Sequence, residues 1–290
     1  MGGRMTVVLV ALSAVLWGAN FNLSKPVLTE LHPLVAGAAR FLIAALVMLM
    51  VMAARREPVP LIRHAKAYGV LGLVGIGGFN LLFFLGMQET SAVNGALIMA
   101  TNPLLTALLA AVILGERPNP RHMAALPVAL AGVAVVLLGG GASVALSRGD
   151  ALMLGANLCW AFYNVLGRRL MPAGSGLANT TGTMVMGALA LTAAAVLTNA
   201  PVSLPGVHAA TTLIAMALGG SVLAYLFYNA GLARLGAGRT ALFLNLVPVT
   251  TMIIAALTGT PPSPLQLAGG LVTIGAVTVA MLPARRVAAA

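Results

Sequence analysis

The stretch "MTVVLVALSAVLWGANFNLSK", Met5 to Lys25, decides the fold. From Met5 to Leu16 it is apolar and uncharged, and Trp17, Asn20 and Asn22 then follow inside the same helical run. About 20 such residues span the ~30 Å hydrocarbon of a bilayer. A helix of this kind tolerates amides when they face protein or a water-filled path, because an unpaired amide in hydrocarbon is costly. A second stretch repeats the problem, "LCWAFYNVLGRR" from Leu158 to Arg169.

The rest of the chain agrees with a membrane reading. Of 290 residues, 60% are hydrophobic and 7% charged, with mean hydropathy +1.02. Soluble domains carry about 25% charged residues, so the class is integral membrane. The apolar runs are long and continuous, which makes the protein all-α and not a barrel. Met1 to Trp17 also resembles a signal peptide. Nine more apolar runs follow, and it reads as the first span. Gly2 with Thr6 fits a myristoylation pattern that would add nothing to a spanning protein. The single cysteine, Cys159, excludes an intrachain disulfide and a cysteine-based metal site.

Polar, Gly and Pro punctuation predicts ten transmembrane helices near 5–24, 33–54, 66–87, 91–114, 121–139, 150–170, 177–198, 208–232, 237–258 and 265–283. "QET", 88–90, reads as a very short connection. Thirteen of the 16 Lys and Arg residues gather on one side of this arrangement. Lys25 and Arg148 lie on the other, and Arg40 lies inside the second span. The asymmetry places both termini in the cytoplasm and explains the net charge of +11 without nucleic acid.

The halves repeat. Trp17 maps to Trp160 at an offset of 143, and Pro103 to Pro248 at 145. Five helices per half turn the second half upside down relative to the first, the inverted repeat of many secondary transporters. Residues 1–139 and 150–290 are the two repeats, with 140–149 as linker. The Gly-rich 139–149 lacks the Gly-Lys-Ser/Thr of a phosphate loop.

"LWGANF" (16–21), "AARFLIAAL" (38–46), "NPLLTALLAAVILGE" (102–116) and "AGVAVVLL" (131–138) resemble the EamA family of the drug/metabolite transporter superfamily. Within it the chain looks most like YddG-type exporters of aromatic amino acids. The second half departs from the pattern, since "TGTPP" (258–262) lacks the acid that often ends the ninth span. The resemblance implies an inner-membrane exporter of small amphiphilic metabolites, aromatic and other hydrophobic amino acids above all.

Helical spacing selects path-lining candidates. Ser13, Trp17, Asn20 and Ser24 share a stripe, as do Asn157, Trp160 and Asn164. The substrate-binding set is Trp17, Asn20, Asn80, Phe83, Met99, Asn102, Trp160, Tyr163, Asn164, Tyr225, Tyr228 and Phe243. Pro103 and Pro248 are candidate hinges. Each of these side chains has a bland reading too: Asn can bond a neighbouring helix, and Trp or Tyr can sit in the interface belt. Small residues in the fifth and tenth spans, Ala129, Gly132, Gly269 and Gly270 among them, point to close helix packing.

Arg40 lies about seven residues into its span. It either receives a substrate carboxylate or bridges to Glu30, a helix carbonyl or lipid phosphate. The structural bridge is preferred, because a carboxylate held by a desolvated arginine would leave slowly. The five acids and four histidines fall at span ends, with no catalytic motif, metal cluster or cofactor signature. The expectation is a transporter and not an enzyme, with a small-molecule substrate, a lipid surround and no cofactor. The absence of a deep acid or histidine favours uniport. Another drug/metabolite solute, or a receptor or scaffold without flux, is the alternative. The sequence does not set the oligomeric state.

Overall fold

The computed structural model describes residues 3–117, 120–139 and 147–282. The expected linker falls mostly, and Arg285 and Arg286 wholly, outside the described residues. The chain runs as helices α1 (Gly3–Leu28), α2 (Pro33–Ala54), α3 (Ala65–Glu89), α4 (Ala92–Leu114), α5 (Pro120–Gly139), α6 (Arg148–Leu170), α7 (Gly176–Leu197), α8 (Val207–Leu235), α9 and α10 (Pro264–Met281). Helix α9 comprises Ala237–Leu242, a 3-10 turn Phe243–Asn245 and Leu246–Leu257.

Among the described residues, nine helices are long and apolar enough to cross a membrane. Helix α6 has the length but not the composition, because Arg148, Asp150, Asn157, Asn164, Arg168 and Arg169 dilute it. Nine of the ten expected spans are thus apolar enough among the described residues, and the tenth, α6, is a polar helix of spanning length. "QET" is corrected: Gln88 and Glu89 finish α3, and the turn is shorter than expected.

Local chemistry sets the ends. Hydroxyls of Ser91, Ser147 and Ser175 accept from the first-turn N–H groups of α4, α6 and α7. Ser263 and Gln266 form a reciprocal capping box at α10. Leu46, Val112, Leu271 and Val279 are exposed apolar residues, as a lipid-facing surface requires.

Two features were not expected from the sequence. Residues Gly72–Gly78 of α3 and Met216–Leu223 of α8 are π-helical. Helix α4 breaks at Ala100 and Thr101, and α9 tightens into its 3-10 turn at Phe243–Asn245. Each pair of irregularities recurs at an offset near 145. Pro103 and Pro248 both fall in the first turn of the segment after the irregularity, where a missing N–H loses no helix bond. They mark where a helix restarts; they do not kink a continuous one.

Packing follows the same pairing. Helix α1 packs on α8 and α9, and α6 packs on α3 and α4; α2 meets α7, and α5 meets α10. In the last pair, a Cβ on Gly132 would lie 2.8 Å from the Gly269 carbonyl. This is the close approach that the small residues suggested. The largest apolar cluster joins Phe21, Phe83, Phe84, Met87 and Met153 between α1, α3 and α6.

Candidate functional site

The widened turns of α3 and α8 draw the candidate residues together. Gly220 carries no side chain, and its carbonyl accepts the Trp17 indole N–H at 3.0 Å. The Trp17 ring meets Tyr225 edge-on at 5.5 Å and Tyr228 at 5.1 Å. On the other side, Trp160 stacks obliquely on Tyr163 at 5.0 Å and on Phe79 at 5.3 Å. Phe79 continues through Phe83 to Phe21 of α1. Tyr163 lies against Gly75, and Tyr225 packs on the apolar cluster that includes the next residue of that widened turn, Ile76. Trp17, Trp160, Tyr163, Tyr225 and Tyr228 are all half-buried.

The asparagines divide into two kinds. Asn102 donates to Asn157 Oδ1 at 2.7 Å and accepts from Asn164 and Thr106 at 3.1 Å. Asn157 donates in turn to the Ile98 carbonyl and to Thr101 Oγ1, each at 2.9 Å. The break at Ala100–Thr101 releases backbone groups from the α4 ladder, and α6 supplies side chains that satisfy them. Asn102, Asn157 and Asn164 thus bond the protein itself. Asn20 differs: it is 5% exposed, and its Oδ1 has no hydrogen-bond partner among the described residues. Asn80 donates to the Ile76 carbonyl in the π segment at 2.8 Å, while its Oδ1 is also unpartnered.

Met99 packs against the Phe21–Phe83 cluster. Phe243 lies in the 3-10 turn of α9 and joins none of these ring contacts among the described residues. Nearby, Asn245 bonds Thr278 of α10 at 3.0 Å. Two clefts, of about 370 and 390 Å³, open near Lys25 and near Ser263, away from the aromatic groups.

Arg40 is the residue whose surroundings differ most from expectation. It is 5% exposed, and its Nε donates to Ser221 Oγ at 3.0 Å. Of the expected structural partners, Glu30, a helix carbonyl or a lipid phosphate, Glu30 is not used. Glu30 instead accepts from the Gly206 N–H at 2.6 Å. The Phe41 ring lies beside the guanidinium, its centroid 5.2 Å from the guanidinium carbon. Ser221 sits 181 residues from Arg40, so no local pattern could have named it.

The two ends of the bundle are closed by different chemistry. Near Lys25, its ammonium donates to the Met87 and Thr90 carbonyls at the end of α3. Thr90 and Ser147 both donate to the buried Asp150 carboxylate, and Arg148 pairs with Glu89 at 3.3 Å. At the opposite end Arg168 holds both oxygens of Glu116 at 2.8 Å. The Arg55–Glu57 pair also lies there, at 2.8 Å. Arg55 holds the Glu57 carboxyl below the usual carboxylate range, and Ser175 adds a second hydrogen bond.

Nine apolar helices and a tenth that carries the amides, paired across two halves, are the setting in which sequence comparison speaks. The model of the EamA-like transporter family matches residues 4–138 and again 147–282. The chain belongs to this family. It is a multi-pass membrane protein of a transporter family, not an enzyme family. It is similar to the uncharacterized transporter YyaM of Bacillus subtilis, 42% identical over 270 residues, 90% of this chain and 88% of that one. A probable amino-acid metabolite efflux pump of Salmonella typhimurium is 26% identical over 284 residues, 93% of each chain. A solved crystal structure superposes with TM-score 0.71 over 99% of this chain and 100% of its own, at 21% identity, which speaks to the fold alone.

Proposed function

We propose that this EamA-family chain exports small amphiphilic metabolites, aromatic and other hydrophobic amino acids above all, by alternating access and as a uniporter of the YddG type. It sits in the bacterial inner membrane with both termini cytoplasmic. The ten helices, α6 included, form two five-helix repeats of opposite topology, 1–139 and 150–290. The substrate contacts Trp17, Asn20, Asn80, Phe83, Met99, Trp160, Tyr163, Tyr225, Tyr228 and Phe243, and Asn102 and Asn164 form the polar floor beside it. The chain restarts at Pro103 and Pro248 act as hinges.

One observation carries the reading. The first helix of each half brings a tryptophan to a tyrosine pair or a Tyr–Phe pair, and Tyr163 and Tyr225 both pack toward the widened turn of α3. Aromatic faces with a few polar handles suit a flat, mostly apolar solute. The Salmonella relative, a probable amino-acid metabolite efflux pump, supports the same solute class. Midplane sites between repeats are where secondary transporters bind.

Flux of labelled phenylalanine, tryptophan and leucine in proteoliposomes tests this directly. The expected result is saturable movement down the amino-acid gradient. Liposomes with well-folded protein and no flux above protein-free controls would overturn it.

A further inference from the structure

All five acids of the chain are engaged away from Arg40. Glu30 accepts from Gly206, Glu57 pairs with Arg55, Glu89 with Arg148, Glu116 with Arg168, and Asp150 accepts from Thr90 and Ser147. Among the described residues Arg40 is therefore a buried cation without a carboxylate partner, its guanidinium carbon lying 5.2 Å from the centroid of the Phe41 ring. Its side-chain hydrogen bond among the described residues runs from Nε to the neutral Ser221 hydroxyl. A guanidinium has five N–H donors, so four remain. A buried charge partnered only by a ring face and a neutral hydroxyl is expensive, and an arginine inside a membrane helix is retained when it meets an anion or a path.

The surroundings point to one anionic group. Asn20 lies against Gly220, next in sequence to Ser221, and its Oδ1 is buried without a donor. A cation with spare donors and an orphan acceptor thus flank consecutive residues of α8, and neighbouring Cα atoms are about 3.8 Å apart. Trp17 and Tyr225 close the apolar side, since Trp17 bonds Gly220 and its ring meets Tyr225. The site is polarised: Trp17 and Asn20 correspond to Trp160 and Tyr163 at the offset of 143, but Arg40 corresponds to the neutral Thr183. One end of the aromatic lining carries positive charge and the other does not.

We infer that Arg40 receives the carboxylate of the transported solute, with Ser221 holding the guanidinium in place and Asn20 Oδ1 accepting from the adjacent ammonium. This rests on the transport reading above and narrows it to α-amino carboxylates. The planar guanidinium forms a fork that matches a carboxylate. Ser221 takes Nε and leaves the other nitrogens to the ligand. A single fixed cation beside an acceptor fits a zwitterion better than a phosphate, which would bring a second negative charge.

The test uses the purified full chain in detergent and in liposomes, with L-phenylalanine as probe. Trp17 and Trp160 are its two tryptophans, so intrinsic fluorescence reports binding where the aromatic groups lie. Three analogues remove one group each: 3-phenylpropionate lacks the ammonium, phenethylamine lacks the carboxylate, and the methyl ester neutralises it. Wild type should bind phenylalanine at least about tenfold more tightly than the ester or phenethylamine, as a charge-assisted hydrogen-bond pair implies. Arg40→Gln should erase that preference without weakening phenethylamine, and Arg40→Lys should keep part of it. An ester that binds wild type as well as phenylalanine would overturn the inference even if no variant folds. So would an Arg40→Gln protein that weakens all four compounds equally, the mark of a structural role. Carboxylate-dependent binding without flux would sink the transport reading and leave this one. Phenylalanine flux with no discrimination against the ester would do the reverse. Silence toward every carboxylate overturns both.

Discussion

The amide of Asn20 occupies the space that a Cβ on Gly220 would need, with its Nδ2 1.9 Å from that point. The other half has a counterpart. A Cβ on Gly75, 145 residues before Gly220, would lie 2.2 Å from the Tyr163 ring, and Tyr163 stands 143 residues after Asn20. Each half presses a first-helix side chain onto a glycine in the widened turn of the other. These contacts are where the halves read each other's shape.

Gly220→Ala should therefore destabilise the protein by about 1–3 kcal/mol, the usual cost of overpacking. Asn20→Ala in the same chain should restore most of that loss. Melting temperatures of the two single variants and the double variant check this. Strictly additive effects would show that the two residues do not meet, since contacting pairs couple.

The two tryptophans should respond differently to loss of the indole N–H. Trp17→Phe removes the donor to the Gly220 carbonyl, at about 1 kcal/mol or a several-fold weaker substrate interaction. Trp160 has ring contacts to Tyr163 and Phe79, so Trp160→Phe should cost less. Alanine at either position should impair transport by about 1–3 kcal/mol while the protein still inserts. Concentration dependence of flux measures all four. Unchanged flux in folded Trp17→Ala and Trp160→Ala would return both residues to a structural role.

The α4 break gives a stability prediction. Asn157→Ala strips partners from the Ile98 carbonyl, Thr101 and Asn102 at once. It should lower stability by about 1–2 kcal/mol through the lost hydrogen bonds, although the Ile98 carbonyl keeps its bonds from Thr101 and Asn102 keeps the Asn157 carbonyl. Asn164→Ala removes weaker contacts of 3.1 and 3.3 Å to the half-buried rim and should cost less. Reversal of that order in thermal melts would show that Asn157 does not staple the break.

Most of the spans were legible because apolar length and a 3.6-residue period are local signals. Trp17 with Trp160 and Pro103 with Pro248 exposed the repeat. The glycines of "GLVGIGG" and "MALGGSVL" were visible, yet nothing local distinguishes a packing glycine from one inside a π turn. Partners were the illegible part. Asn102 and Asn157 share a stripe-like pattern with Asn20, but which amide is satisfied depends on a break in another helix. Arg40 was read toward Glu30, a helix carbonyl or a lipid phosphate, whereas its hydrogen-bond partner Ser221 is in the other half.

Orientation can be settled with single cysteines. Labels at Lys66, Arg117, Arg169 and Arg234 should be accessible from the cytoplasm, and labels at Thr29, Ser203 and Thr260 from outside; all seven positions are exposed. Impermeant thiol reagents on whole cells, after the single Cys159 is replaced, would read this. Arg117 and Arg234 reporting from opposite faces would break the inverted repeat, because they lie at the ends of the fourth and the eighth of ten successive helices, which end on one face if every helix crosses.

Coupling is the sharpest prediction. The deepest polar groups of the site are amides, phenols, indoles and one arginine, none of which changes charge near neutral pH. Alternating access then needs two states of similar energy, biased by bound substrate. The closures at the two ends supply unequal chemistry for such states. Lys25, Thr90 and Asp150 hold one end, and Arg168 with Glu116 holds the other. A pH or sodium gradient across liposomes with equal amino acid on both sides, and voltage clamped by potassium and valinomycin, should produce no net accumulation. Accumulation that collapses with a protonophore would mean proton coupling. Asp150 would then be the group to test first, since it is the most buried acid and both its oxygens sit in the Lys25-end closure. Loss of that accumulation in Asp150→Asn, with exchange of amino acid retained, would make the closure itself the proton-reading element and end the uniport reading.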